Sequence, residues 1–459
     1  LNRTAHSTCS AFARAISSLL LLATSAFAQS TPIAITNAHI IPIEGDEIAT
    51  GTIVLGDGKI IAVGESSTVK VPAGATTIDA AGKFVMPGLV DTHSHIGGVG
   101  GADGASPIQP SVRVFDSINP FDPGFRRAVA GGLTTINVMP GSGHLMSGQT
   151  VYLKLRGVVN TADGRGTTKV DDLFMLDSAG SPLGGMKMAN GTNSQGAAPF
   201  PGTRGKSAAL VREQFVRAQE YKAKVDAAKG DPAKLPPRDL AMEAMVEVLE
   251  GKRVVHHHTH RADDIMTVLR LQKEFGFRVI LHHVSEAWKV APEIAKAGVP
   301  CSVIVIDCPG GKLEAAEMSW QTGGVLEKAG AMVAFHTDDW ITDSRIFMRS
   351  AAIAVRAGMS REGALRALTL NGAKILDLSD RIGSLKPGKD ADVIILSGDP
   401  LSVYTHVEKT YVEGKLVFDR ANPQDHLQAV GGFGAGNPSK PYMCCTEQGL
   451  QGAANSGQQ

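Results

Sequence analysis

The sequence predicts an α/β protein: a (β/α)8 barrel of the TIM type, carrying a small discontinuous β-sandwich built from both termini. Three observations predict it. Four strand-like runs, Val254-Val255-His256, Phe277 to Leu281, Ser302 to Ile306 and Met332 to Phe335, recur about 22 to 30 residues apart with helical text between them. Strand-rich, helix-poor text flanks this region on both sides. Glycine is abundant, at 52 of 459 residues, as a fold with many short elements and tight turns requires.

Taken in order, residues 1–28 read as a signal peptide. Arg3 and Arg14 give a positive start, Leu19 to Leu22 an apolar centre, and Ala26-Phe27-Ala28 a small-residue cleavage pattern before Gln29. The apolar run is too short to span a bilayer. An exported, periplasmic protein without a membrane span after cleavage is therefore expected. Residues 29–84 form the first β-segment, with Gly56-Asp57-Gly58 as a hairpin signal between Thr52–Leu55 and Lys59–Val63. Residues 85–380 form the barrel. Its early strands are the run into His93-Ser94-His95 and Thr134 to Val138, with Leu173 to Leu176 and Met186 to Met188 as weaker candidates. Helices are expected over 208–228, 240–249 and 361–370 from apolar spacing. Residues 381–421 return to strands at Ala391 to Leu396 and Lys415 to Phe418, and 422–459 read as a flexible tail rich in Gly, Ser, Gln and Asn.

Composition excludes several classes of function. Lys+Arg and Asp+Glu balance at 45 each, which gives no basis for binding nucleic acid. Aromatic residues are only 5%, too few for a base-stacking platform. Of five cysteines, Cys9 leaves with the leader, and Cys301, Cys308, Cys444 and Cys445 include no Cys-x-x-Cys, so a thiolate zinc site is not expected. The partners expected are a small-molecule substrate and, if the chain self-associates, further copies of itself.

Barrel active sites sit at the C-terminal ends of the strands. There this chain places His93 and His95, the run His256-His257-His258-Thr259-His260, then His282-His283, then His336-Thr337-Asp338. Residues i and i+2 on a strand share a face, so His93 and His95 can grip one ion. An isolated His-x-His is more often two packed histidines. Four separate strand ends carrying histidine or aspartate point to a nitrogen-rich, oxygen-completed metal site. Parity cannot choose among His256, His258 and His260. It allows only one of His282 and His283 to face the axis, and His256, His257 and His282 are read as packing or supporting rings. Asp338 lies nearer its strand end than His336, which favours it for the metal.

The run Val85-Met86-Pro87-Gly88-Leu89-Val90-Asp91-Thr92-His93-Ser94-His95, the strand-end His258 and His283, Thr337-Asp338, and Gly383 to Val393 together resemble the amidohydrolase superfamily. Val138 to Gly143 and His258 to Ile265 are similar to its imidazolonepropionase-like branch. The resemblance spans nearly the whole chain up to Phe418. It implies ligation of one or two divalent ions, zinc first among them, by His93, His95, His258, His283 and Asp338, with a carboxylated Lys187 as a bridging candidate. Relatives often carry Gly-Glu-Asn-Pro-Lys after that lysine; here the text is Gly191-Thr192-Asn193-Ser194-Gln195.

The activity implied is hydrolysis of an amide-type C–N bond, in an N-acyl amino acid, dipeptide or cyclic amide, by metal-activated hydroxide. Asp338 would shuttle the proton, and His283 or His260 would help polarise the carbonyl. His144, His260, Arg261, Trp288, His336 and Trp340 are candidate substrate contacts near strand ends. One rival is a hydrolytic deaminase, which commonly has a glutamate just after the residue corresponding to His258; Thr259, His260 and Arg261 offer none. Others are a lactonase or esterase using the same hydroxide, and a catalytically dead binding protein, which usually loses ligands that this chain retains.

Overall fold

The computed structural model describes residues 31–99, 103–157, 169–305, 312–339 and 341–431. Residues 1–30, expected to hold a leader and including Cys9, and residues 432–459, including Cys444 and Cys445, lie outside the described residues, as do Cys308 and Trp340.

Strands from both ends of the chain share one eight-stranded sheet. Ile33–Ile40 pairs with Ile48–Gly56, which turns through Asp57 and Gly58 into Lys59–Glu65. Both turn residues have positive φ, 48° and 77°, as the expected two-residue hairpin requires. Thr76–Asp79 and Phe84–Pro87 lie parallel to Ile33–Ile40. Phe84–Pro87 then takes Val393–Leu396 antiparallel, followed by Val407–Val412 and Lys415–Asp419. The expected two-layer sandwich is not seen. The terminal segments join edge to edge, because Phe84–Pro87 has one hydrogen-bonding edge on each half. Ile35, Ile40, Ile53, Val85, Val393 and Ile395 bury its apolar side.

Phe84–Pro87 therefore belongs to this outer sheet, and the inner strands begin at Leu89, four residues later than the expected start at Val85. The crossover is Gly88. Its N–H donates to Asp392 O at 3.0 Å, while that of Leu89 donates to Gly132 O at 2.9 Å. A side chain at Gly88 would collide with Thr134, so only glycine passes.

Inside, Met186–Ala189, Val255–Thr259, Val279–His283, Cys301–Ile304 and Val333–His336 pair in parallel in that order. Leu89–Ser94 pairs in parallel with Leu133–Val138, and a parallel bridge from Ser94 to Asp339 ties it to the end of the Val333–His336 strand. Eight parallel strands were expected. The described pairings are instead a six-stranded and a three-stranded sheet. The extra members are Met146–Gln149 and Val151–Lys154, consecutive strands broken at Thr150 and antiparallel to their neighbours. Residues 173–176, expected as a strand, hold only a 3-10 turn over Val170–Leu173 and isolated bridges.

Helices alternate with the parallel strands. Ala262–Phe275 starts with Asp263 and Asp264 in its first turn, which complements the helix dipole, and stops at left-handed Gly276, φ 74°. Arg204–Ala227, Leu240–Leu249 and Arg361–Leu368 match the three expected helices to within about a turn. The text after 422 is not all tail: Asn422 caps a helix over Pro423–Val430. Buried Lys154 reaches Asp390 at 3.0 Å, and also Asp392, linking the inner strands to the C-terminal return. No helix among the described residues is long and apolar enough to cross a membrane.

Candidate metal centre

His93 and His95 leave the end of Leu89–Ser94, and Asp338 follows Val333–His336. The two segments are locked together. The N–H of Asp338 donates to His93 O at 2.9 Å, and buried Asp91 accepts from the N–H (3.1 Å) and hydroxyl (2.5 Å) of Thr337. His93 Nε2 lies 3.2 Å from His95 Nε2 and 3.4 Å from Asp338 Oδ1, and His95 Nε2 lies 3.0 Å from that same oxygen. Lys187 Nζ, from Met186–Ala189, lies 3.2 Å from His93 Nε2. Donors each about 2.05 Å from one tetrahedral ion stand roughly 3.3 Å apart. The observed separations fit an ion of zinc's size.

Hydrogen bonding prepares the lone pairs. His95 Nδ1 donates to Met139 O at 2.8 Å, which fixes the ring with Nε2 facing His93 and Asp338. A second chain runs under His283. The hydroxyl of Thr92 donates to Phe335 O (3.3 Å), which can only accept. Thr92 Oγ1 then accepts from Ser302 Oγ (2.6 Å), and Ser302 accepts from His336 Nδ1 (2.7 Å). His336 Nε2 accepts from His283 Nδ1 (3.0 Å). His283 Nε2 is thus a bare lone pair, buried and without a hydrogen-bond partner. Such an orphaned atom is what a site built for a cation presents.

His258 completes this side, with its ring 4.4 Å from that of His283, and His260 stacks on His283 at 5.1 Å. Burial lowers the pKa of His93, His258 and His283 well below the ordinary value near 6.5, so all three rings are neutral and able to ligate. Burial by itself would raise Asp338, but the hydrogen bond and charge of His95, with His336 and Lys187, bring it down to about 2. Burial also lowers Lys187 to about 7, so about half of its amine is neutral at pH 7.

The parity argument at His282 and His283 fails here. His283 and Val284 have φ of 68° and 47°, so alternation breaks at the strand end and both rings point inward. His282 lies one layer below, with Nδ1 3.2 Å from His93 Nδ1. His256 lies beside it, 2.9 Å from His282 Nε2.

Three expected substrate contacts are placed elsewhere. Both nitrogens of His336 are spent on Ser302 and His283, so it supports the site from beneath. Arg261 forms a two-bond pair with Asp263 at the protein surface (2.9 and 3.0 Å). Trp288 Nε1 donates to Glu317 O at 3.1 Å, and the ring is exposed. His144 is buried against Phe200, with ring centroids 5.0 Å apart. His260 keeps its place: Ser285 Oγ holds Nδ1 at 2.7 Å, and Nε2 has no hydrogen-bond partner.

Glu314 and Lys312 were not anticipated. Glu314 Oε2 accepts from the N–H of Thr192 at 2.8 Å, and the carboxylate joins His258 and His260 in a cluster that could hold a cation. Lys312 Nζ donates to Asn193 Oδ1 (2.6 Å) and His258 Nε2 (3.2 Å). The 191–195 loop thus positions a carboxylate from another loop instead of supplying one. No strand or helix period marks Glu314; it sits in a single 3-10 turn, Leu313–Ala315.

Residues 84–417 match the model of the amidohydrolase family. A crystal structure of an amidohydrolase from Thermotoga maritima MSB8 superposes with a TM-score of 0.76 at 34% identity, covering 84% of this chain and 100% of that one. Amidohydrolase tasK of Hapsidospora irregularis is 27% identical over 76% of this chain, but the match spans only 38% of that longer protein. A 5-methylthioadenosine/S-adenosylhomocysteine deaminase of Symbiobacterium thermophilum is 22% identical over 84% of this chain and 93% of its own length.

Proposed function

Because this chain belongs to the amidohydrolase family and is therefore a hydrolase, we propose that it is a metal-dependent enzyme cleaving an amide-type C–N bond in an N-acyl amino acid, dipeptide or cyclic amide. The observation that carries this reading is the buried cluster of His93 Nε2, His95 Nε2, Asp338 Oδ1 and Lys187 Nζ, backed by the bare His283 Nε2. In this reading the parallel strands make up the family's barrel. The ligands are His93, His95, His258, His283 and Asp338, and a nitrogen-rich set with one carboxylate suits zinc. A divalent ion held there lowers the pKa of a water from about 15.7 to about 7 and polarises a carbonyl oxygen.

The chain's own groups supply the rest. Asp338 is ionised, and its Oδ2, 3.8 Å from His283 Nδ1, takes the water's proton and hands it to the leaving nitrogen. His260, held at Nδ1 by Ser285, offers Nε2 to the substrate's carbonyl side. A lysine cation 3.2 Å from a ligand nitrogen would repel an ion. Carboxylation of the neutral Lys187 amine by CO2 turns it into an anionic oxygen donor, and a native mass higher by one CO2, absent in Lys187→Met, is the expected sign. Its absence from active wild-type protein would remove the bridging role. Export is also part of this reading: the leader pattern predicts a mature chain beginning at Gln29, and an exported protein retaining the leader would contradict it.

The test of the main reading is a screen of zinc-loaded enzyme on N-acyl amino acids, dipeptides and cyclic amides, with ammonia measured in parallel. Release of a free amine or a ring-opened acid without ammonia supports it. Glu314 favours a second reading, since it brings beside His260 the carboxylate that a deaminase needs. Ammonia as the product, lost in Glu314→Gln, would replace the first reading with that one.

A further inference from the structure

Beneath His93 lies a chain of buried hydrogen bonds with no part in the reaction as described. His93 Nδ1 meets His282 Nδ1 at 3.2 Å, His282 Nε2 meets His256 Nδ1 at 2.9 Å, and His256 Nε2 meets the Tyr152 hydroxyl at 3.1 Å. All four side chains are buried. A neutral imidazole has one N–H and one lone pair, so the chain has only two consistent directions. In one, His93 Nδ1 donates to His282, His282 Nε2 donates to His256, and His256 Nε2 donates to the Tyr152 oxygen. In the other every bond reverses, and the hydrogen ends on His93 Nε2, where it blocks ligation. Any mixture sets two hydrogens or two lone pairs face to face.

The upper end selects the first direction. Lys187 Nζ lies 3.2 Å and Asp338 Oδ1 3.4 Å from His93 Nε2, and ligation through that nitrogen, which needs its lone pair, requires the first direction. The lower end is a phenol hydroxyl, which can give or take a hydrogen bond. The chain under His283 differs, since its last hydroxyl, on Thr92, has the Phe335 carbonyl to donate to. We propose that Tyr152, acting through His256 and His282, is a positioning residue that keeps the hydrogen of His93 on Nδ1 and its Nε2 lone pair free for a metal.

The inference rests on reading His93 as a ligand, but its test separates the two. Histidine ¹⁵N chemical shifts distinguish the tautomers. In zinc-free wild-type protein, His93 should be the Nδ1–H form, with His282 and His256 both Nε2–H. Tyr152→Phe removes the acceptor of the last N–H, so all three rings should switch together while His283 stays Nδ1–H. Zinc affinity, measured by chelator competition, should then fall about 10- to 100-fold. The opposite tautomers in wild-type protein, or unchanged shifts in the variant, would overturn the relay. If Tyr152→Phe does not fold, the wild-type spectrum decides alone. Switched tautomers with wild-type zinc affinity would leave the relay standing and remove His93 from the ligand set.

Discussion

Asp338 is the residue on which the proposed chemistry turns. Its carboxylate is near His93, His95 and His283 at once, and those neighbours keep it ionised despite burial. Asp338→Asn keeps the shape and a ligating oxygen but cannot carry a proton. We expect kcat to fall about 10²- to 10⁴-fold, the usual share of a proton-transfer group, with metal content and circular dichroism unchanged. Wild-type turnover in that variant would remove Asp338 from the proton path. At this scale the sequence was legible where chemistry and position coincide: His93, His95, His258, His283 and Asp338 all stand at strand ends, and the fold brings them together. It misled at Arg261 and Trp288. They are near strand ends too, yet Asp263 captures one and the Glu317 carbonyl the other, and such local capture leaves no periodic trace.

At the scale of elements, the site depends on where strands stop being strands. His283, Val284 and Asp338 all have positive φ, which turns side chains that simple alternation would send outward. That is why His282, read as a packing or supporting ring, stands under His93 although His283 also points inward. Met146–Gln149 and Val151–Lys154 escaped notice for another reason: the first contains Ser147 and Gly148, has no β-branched residue, and leads straight into the second at Thr150. Gly185 shows how closely the elements approach. A Cβ there would stand 2.5 Å from Val254 O and 2.7 Å from His256 Nε2. Gly185→Ala should cost about 1–3 kcal/mol, the usual penalty for overpacking, read as a lower urea midpoint. An unchanged midpoint would mean that the strand at Met186 yields more readily than its pairing suggests.

For the whole molecule, many buried neutral histidines make folding sensitive to acid. Burial depresses His256, His257 and His336 to about 3, against an ordinary value near 6.5 in the unfolded chain. Between those values the unfolded state binds more protons, so stability is greatest above about pH 6.5 and declines as pH falls toward 3. At pH 5 each ring costs about 2 kcal/mol. The metal-free protein should therefore lose Tm steeply from pH 7 to pH 5, and a flat profile over that range would contradict the neutral assignment. At this scale the sequence foretold that the two ends of the chain combine. It could not foretell that their strands would pair within one hydrogen-bonded sheet, because that depends on which edges of Phe84–Pro87 remain open for pairing.

The most direct test of the central claim is metal content set against hydrolysis on one preparation. The enzyme is stripped with chelator, then titrated with zinc, and bound metal and turnover of a substrate from the screen are followed together. The account predicts that hydrolysis vanishes with the metal and returns in proportion to one or two ions per chain, and that His93→Ala and His95→Ala lose both. Full hydrolysis by the metal-free protein would contradict it.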